Sequence, residues 1–314
     1  MNIRQASYVL AILQEGSISA AAKRLYISQP ALSQTLRLSE EALGAQIFQR
    51  GTTPLALTYA GEKYVKAARQ MMTINNNLQN EIAEINNEEY GRLRFGISTQ
   101  LTTQLLPVIL PPFMEKYPHV DIIIAERGIV TIEELAVAGG VDIVLVSTDS
   151  RHSELEYIPI EKMRLVLLAD KRTEIAKNYS GTGEIGIETA KNEEFISLKL
   201  GSNHRGMQGA IFAAAGINPR VAVEAYTYET AEWLTVTCHG VMICPDVYID
   251  VSSGILDNAI CIPLKETGLE RHFYICHRRD LYLTRYMKDW ISLLIEKYGE
   301  VTAKRCLKGD FKRD

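Results

Sequence analysis

The chain has 314 residues, 46% of them hydrophobic, enough to bury a sizeable core in two or three domains. That content sets it among globular rather than disordered chains, and no stretch approaches the roughly 18 uninterrupted apolar residues of a membrane span. A net charge of -4 is wrong for a protein that coats nucleic acid by overall basicity, so any basic surface is local.

The N-terminus MNIRQASYVLAILQEG lacks a basic stretch followed by a long apolar run, which predicts a cytoplasmic protein without a membrane partner. Its five cysteines, Cys238, Cys244, Cys261, Cys276 and Cys306, form no CxxC pair, and their odd number predicts reduced thiols rather than a disulfide framework. Up to Thr58 five basic residues face three acidic ones, a charge of +2 that leaves -6 on the remainder. This asymmetry fits a small DNA-binding head on an acidic body.

From Ile3 to Leu13 the residues Ala6, Val9, Leu10 and Leu13 recur at helical spacing, and Gly16 ends that helix. Ser17 or Ser19 caps a short second helix from Ala20 to Leu25, and Tyr26 and Ile27 form a turn. Ser28, Gln29 and Pro30 then start a third helix, which Gly44 stops. Two short helices joined by a tight turn have the geometry of a helix-turn-helix whose second helix enters the major groove. Ala31, Leu32 and Leu36 are expected in the core. Ser28, Gln29, Pro30, Ser33, Gln34 and Arg37 are the candidate DNA contacts, because amide, hydroxyl and guanidinium groups bond to base edges and phosphates. The segment Ile47 to Thr58 reads as a turn-rich, two-stranded wing that adds Arg50 and Thr52.

From Glu62 to about Asn87 there is neither glycine nor proline, and Met71, Ile74, Leu78, Ile82 and Ile85 form an apolar seam suited either to pairing with a second copy or to lying on the chain's own domain. Asn75, Asn76 and Asn77 interrupt it as a polar register device or a bend.

After Gly91 strands and helices alternate, which argues for parallel α/β architecture. Leu93 to Ser98, Asp121 to Glu126 and Val141 to Ser147 read as strands. A helix from Leu101 to Tyr117, interrupted or bent at Pro107, Pro111 and Pro112, and another from Thr131 to Ala138 separate them. A second unit offers strands at Leu165 to Leu168, Phe195 to Leu198, Arg220 to Ala225 and Gly240 to Cys244, with helices at Gly206 to Ala215 and Thr230 to Val236. The chain then returns to the first unit through His272 to His277 and a helix from Thr284 to Tyr298.

The string A-A-x-x-L-x-x-S-Q-P-A-L-S, then L-G-x-x-I-F-x-R and L-T-x-A-G, closely resembles the N-terminal signature of LysR-type transcriptional regulators. One departure is Ser39, where that family usually has an apolar residue. Looser likenesses follow in G-R-L-R-F-G-I-S, E-E-L-x-x-G-x-V-D-I-V-L, A-G-I-x-P and G-V-M-I-C-P, so the resemblance covers nearly the whole chain. It implies an α/β protein with a winged helix-turn-helix over 1–58, a linker and dimerisation helix over 59–90, and a periplasmic-binding-protein-like effector domain over 91–314. Subdomain one takes about 91–161 and 268–300 and subdomain two about 162–267. It also implies double-stranded promoter DNA, a small-molecule effector and RNA polymerase (for an activator) as partners, and a homodimer or homotetramer.

In such a fold the ligand lies between subdomains, where free N–H groups at helix N-termini favour anions. The candidates are Ser98, Thr99, Gln100 and Thr148 on one side and Gly201, Ser202, Asn203 and His204 on the other, with Tyr228 and Arg127 as lesser ones that could equally be exposed loop residues. No HExxH, GxSxG, P-loop or GxGxxG is present, so neither an enzyme nor a cofactor is expected. The pairs Cys238-His239 and Cys276-His277 are poor metal sites, because neighbouring strand residues point to opposite faces. No cysteine precedes Cys238, so the thiol pair of the family's peroxide sensors is missing, and Cys238 and Cys244 remain only as a redox alternative. The rival reading is a receptor or transport protein, against which the helix-turn-helix and the missing export signal count.

Overall fold

The structure is a computed structural model, and it describes residues 1–49, 51–52, 54–85, 90–126, 129–148, 151–199, 203–249, 253–265 and 271–302. Its contacts divide the chain into two compact units, one of 1–91 with 138–140 and 279–284, the other of the remaining residues.

The first unit is built on three helices and a fourth, longer one. α1 (Ile3–Glu15) is capped by Asn2 in a reciprocal pairing with Gln5, α2 (Ile18–Arg24) by Ser17, and α3 (Gln29–Leu43) by Ser28 with Pro30 in its first turn. Gly44 closes α3 at φ 72°, a left-handed conformation in which a side chain would be strained. Ala6, Val9, Ile12, Ala21, Ala22, Leu32 and Leu36 form the core with Ile47, Phe48, Tyr64, Val65 and Ala68. Leu32 and Leu36 are thus inside as expected, but Ala31 is exposed, because the buried stripe of α3 runs through Leu32, Leu36 and Ser39. The predicted wing is a single antiparallel bridge between Phe48 and Leu57.

α4 (Tyr59–Ile85) runs on from this core. Its Tyr64, Val65 and Ala68 are buried against the head, whereas Ile74, Leu78 and Ile82 are exposed. Asn77, one of the three asparagines that interrupt the seam, bonds within its own chain. Its side chain donates to Asp280 O (2.6 Å) and accepts from Tyr282 N (3.0 Å), tying the 279–284 segment to the helix.

The second unit carries two five-stranded sheets. The first has the order β2-β1-β3-β10-β4, from β1 (Gly91–Ile97), β2 (Val120–Glu126), β3 (Ile143–Thr148), β4 (Leu155–Lys162) and β10 (His272–Arg278). The second has the order β7-β6-β8-β5-β9, from β5 (Leu165–Asp170), β6 (Phe195–Leu198), β7 (Val221–Ala225), β8 (Val241–Pro245) and β9 (Ala259–Pro263). Its helices are α5 (Thr99–Lys116), α6 (Ile129–Val137), α7 (Glu174–Asn178), α8 (Asn203–Ala214), α9 (Tyr228–Thr237) and α10 (Arg285–Thr302).

Both sheets are mixed, not parallel throughout. β1 pairs with β3 and β6 with β7 and β8 in parallel, but β10 is antiparallel to β3 and β4, and β5 is antiparallel to β8 and β9. The antiparallel strands are those through which the chain crosses from one sheet to the other. β4 and β9 escape the sequence reading because they are edge strands holding Pro159 and Pro263, and three residues of β4 are exposed, which blurs its apolar pattern. The helix expected to be interrupted or bent at Pro107, Pro111 and Pro112 is not interrupted: it runs through all three as α5. Its buried face, Leu101, Leu105, Ile109 and Phe113, offsets the lost backbone hydrogen bonds, with Phe113 and Phe95 both set edge-on against Trp290 of α10 at 4.8 and 5.1 Å.

Candidate functional site

On α3 the residues opposite the core are Gln29, Gln34 and Arg37, all exposed, with Ser33 half-buried beside them. They lie one helical turn apart, so they form one polar face. Gln29 Nε2 donates to Ser33 Oγ (2.8 Å), and Arg37 Nη1 meets Glu41 Oε1 at 2.5 Å. Ser28 uses its hydroxyl to cap Ala31 N (3.4 Å), so it holds the helix start, and Pro30 sits exposed beside it. Thr52 accepts from Ala56 N (3.0 Å) and donates to Gln49 O (3.3 Å), which makes it a brace of the wing. Arg50, the expected phosphate contact, lies outside the described residues.

Two further residues fix the wing against α3 and α4. Glu40 Oε1 accepts from Ile47 N (2.7 Å) and Phe48 N (3.4 Å). Thr58 Oγ1 donates to Gln46 O (2.5 Å) and accepts from Gly61 N (2.9 Å), starting α4 where the wing ends. Neither role was apparent from residue type, although Thr58 belongs to the signature.

In the second unit Ser98 occupies the position before α5 but makes no capping bond. Its hydroxyl pairs with the Tyr248 phenol instead. Tyr248 stacks edge-on against Tyr228 (4.9 Å), and the Tyr228 hydroxyl lies 2.8 Å from His204 Nδ1. A continuous chain of polar and aromatic groups therefore links the start of α5 on the first sheet to the starts of α8 and α9 on the second. Burial pushes both phenols up, Tyr248 to about 12, and burial, with the Arg205 charge, brings His204 down to about 4. All three side chains are neutral at physiological pH. Tyr228 is thus a buried helix residue, not an exposed loop one.

Thr99 and Gln100 belong to the first turn of α5 rather than to the loop before it. Thr148 is buried at the end of β3, and its hydroxyl bonds to Glu133, whose carboxyl burial pushes up and which also accepts from Tyr157 (3.1 Å). Gly201, Ser202 and Arg127 lie outside the described residues, as does the side chain of Asn203.

A family model described as the bacterial regulatory helix-turn-helix of the lysR family matches residues 3–62, and one described as the LysR substrate binding domain matches residues 86–299. The chain belongs to the LysR family of transcriptional regulators. This LysR-type regulator is 28% identical over 324 residues to YcgK of Bacillus subtilis, an uncharacterized HTH-type transcriptional regulator, with 98% of each chain covered. Among solved structures it resembles a full-length OxyR from Pseudomonas aeruginosa in which one cysteine is replaced by aspartate, with a TM-score of 0.69, 19% identity and coverage of 95% of this chain and 97% of that one. It also resembles full-length CbnR complexed with its target DNA, with a TM-score of 0.55, 19% identity and coverage of 96% and 100%.

Cys238 is exposed at the end of α9, while Cys244 and Cys276 are buried, and burial pushes the Cys276 thiol up. His277 Nδ1 lies 2.9 Å from the Arg278 carbonyl, which removes it from any pairing with Cys276. Among the described residues no group of three or more His, Cys, Asp or Glu could hold a metal, and no helix is long and apolar enough to cross a membrane. What the sequence missed around the cleft is Tyr248, Gln208, Ser147 and Arg271. Arg271 carried the one available signal, a cation just before the strand that returns to the first sheet.

Proposed function

We propose that this regulator reads promoter DNA through the polar face of α3, with Gln29, Ser33, Gln34 and Arg37 as contacts. Ser28 and Pro30 form the helix start, and Arg50 and Thr52 serve from the wing. The observation that carries this is the exposed row on a helix whose opposite side is buried and whose start is capped. Replacing Ser33 and Gln34 together by alanine is expected to erase about 1 to 3 kcal/mol of discrimination per lost base contact while leaving binding to random DNA nearly unchanged. Footprinting on the promoter of the protein's own gene measures it. Full specificity in that variant would mean that another face reads the bases.

The effector site is the cleft between the two sheets, with Ser98, Thr99, Gln100 and Thr148 on one side and Gly201, Ser202, Asn203 and Tyr228 on the other. The protein regulates rather than catalyses, acts on cytoplasmic DNA, and meets RNA polymerase if it activates. It works as a homodimer or homotetramer. Supporting the pairing, Ile74, Leu78 and Ile82 stand 70%, 58% and 49% exposed along α4. The same stripe leads through Ala67, Lys63 and Tyr59 to an open cavity of 510 Å³, walled on its far side by Leu43 and Met1. Ile74→Asp with Leu78→Asp is expected to yield monomers by sedimentation and to weaken binding to two-half-site DNA by about tenfold or more. An unchanged oligomer would exclude this seam.

A further inference from the structure

α8 carries two buried side chains whose polar atoms lack partners among the described residues. His204, 4% exposed, has its Nε2 unpaired, and so does Gln208 at its own Nε2, with no exposure at all. They are four residues apart and share one face of the helix. The second polar atom of each is occupied, since His204 Nδ1 lies 2.8 Å from the Tyr228 hydroxyl and Gln208 Oε1 accepts from Ser197. Arg271 adds a third unpaired nitrogen. Its Nη2 donates to Ser147 O (3.3 Å), but its Nε is buried without a partner, as is the Ser147 hydroxyl.

These atoms have a definite polarity. A neutral imidazole has one donor and one acceptor nitrogen, and burial keeps both the His204 ring neutral and the Tyr228 phenol protonated. His204 Nδ1 is the one acceptor that the Tyr228 hydroxyl reaches among the described residues, so in this reading the phenol O–H donates to Nδ1 and the ring proton sits on Nε2. Gln208, with its oxygen filled, turns its NH₂ to the unpaired side. Two adjacent N–H groups and a guanidinium N–H thus have no acceptor, and buried donors are costly to leave so.

Arg271 has no ion-pair partner among the described residues, yet its charge acts on Tyr228, Tyr248 and Glu133 alike. Glu133 is engaged elsewhere, by Tyr157 and Thr148. A neutral amide ligand would turn N–H groups of its own toward these donors, whereas a carboxylate offers only acceptors and a compensating charge.

We propose that the effector is a small carboxylate, its oxygens held by His204 Nε2–H and the Gln208 amide from α8 and by the Arg271 guanidinium from the crossover into β10. The inference rests on the cleft reading above and names the chemistry of that site. His204 and Arg271 then determine specificity.

The test uses the full-length protein with ¹⁵N-labelled histidine, its His204 signal assigned by His204→Gln, and acetate and acetamide as matched probes. The expected result is an Nε2-protonated ring whose signal moves saturably with acetate, with acetamide weaker by about tenfold or more and Arg271→Gln costing a similar factor for acetate. An Nδ1-protonated ring overturns the proposal, as do equal responses to both probes. A signal that acetate leaves unmoved would mean that a resident water satisfies these donors, and would overturn it too. A gel shift with the protein's own promoter, run on the same samples, reads the regulator function separately. Absence of DNA binding beside an intact acetate response would sink that reading alone.

Discussion

Gly61→Ala is expected to abolish sequence-specific DNA binding while leaving the second unit folded. A Cβ built on Gly61 would lie 2.0 Å from Ile47 O and 2.9 Å from Ile47 C, distances that real Cβ atoms do not show. The obstruction is backbone: the Ile47 carbonyl accepts from Thr58 N (3.0 Å), and the N–H of the same peptide, on Phe48, is held by Glu40 (3.4 Å), so it cannot swing aside without loosening the wing. Alanine gains about 1 kcal/mol of helix propensity over glycine. That gain is smaller than the roughly 1 to 3 kcal/mol, or more, of forcing atoms into a packed junction, so the clash wins. Calorimetry of the full chain should register a lowered transition for the head and an unmoved one for the two-sheet unit. An unaltered footprint and melting profile would show that α4 and the wing are not tightly joined.

A second large effect is expected at Asp142→Ala, this time in the two-sheet unit. Asp142 is buried, and its carboxylate accepts from Arg94 N (2.8 Å), Arg94 Nε (3.1 Å) and Arg94 Nη2 (2.5 Å), while Asp142 N donates to Arg94 O (2.8 Å). These bonds join the parallel pair of β1 and β3 where the second strand begins. Removing one member of a fully buried pair costs about 3 to 5 kcal/mol, but the Arg94 side chain is 29% exposed and water can reach it. A loss of about 2 kcal/mol is the better expectation, with Asp142→Asn recovering part of it through its remaining acceptor oxygen. Urea unfolding of the full chain measures both. Equal midpoints for wild type and Asp142→Ala would show that the strands pair without this bridge, whereas promoter binding should be retained in either case.

Much of the head was legible because its signals are local. Ser17, Ser28, Gly16 and Gly44 cap or stop helices by short-range geometry, and the three- and four-residue spacing of Ala6, Val9, Leu32 and Leu36 reports burial directly. Ala31 misled because a small apolar residue gives little weight to either face of a helix. In the two-sheet unit the central strands were plain from continuous apolar runs such as Ile143–Thr148, but their neighbours β4 and β9 were not. Sequence alternation does not say which strand runs against which, so the mixed order of each sheet was hidden. The cleft was half legible for a related reason. Ser98 and Tyr228 follow strands or open helices and could be picked by position, whereas Tyr248, Gln208 and Arg271 join them only through contacts between residues far apart in the chain.

In the contact proposed above, Arg37 comes to DNA already held by Glu41 of its own helix. An exposed pair of this kind is worth only about 0.2 to 1 kcal/mol, yet that much is subtracted from any contact the guanidinium makes with a single phosphate. A bidentate acceptor such as guanine is worth more than the pair and can still draw the arginine away. The same cost falls on right and wrong sequences, but it is a larger share of a single phosphate contact than of a bidentate contact with a base. For a regulator that must find its site among random sequence, the time it loses at wrong addresses sets how soon it arrives. Glu41, which touches no base, would shorten each of those stops.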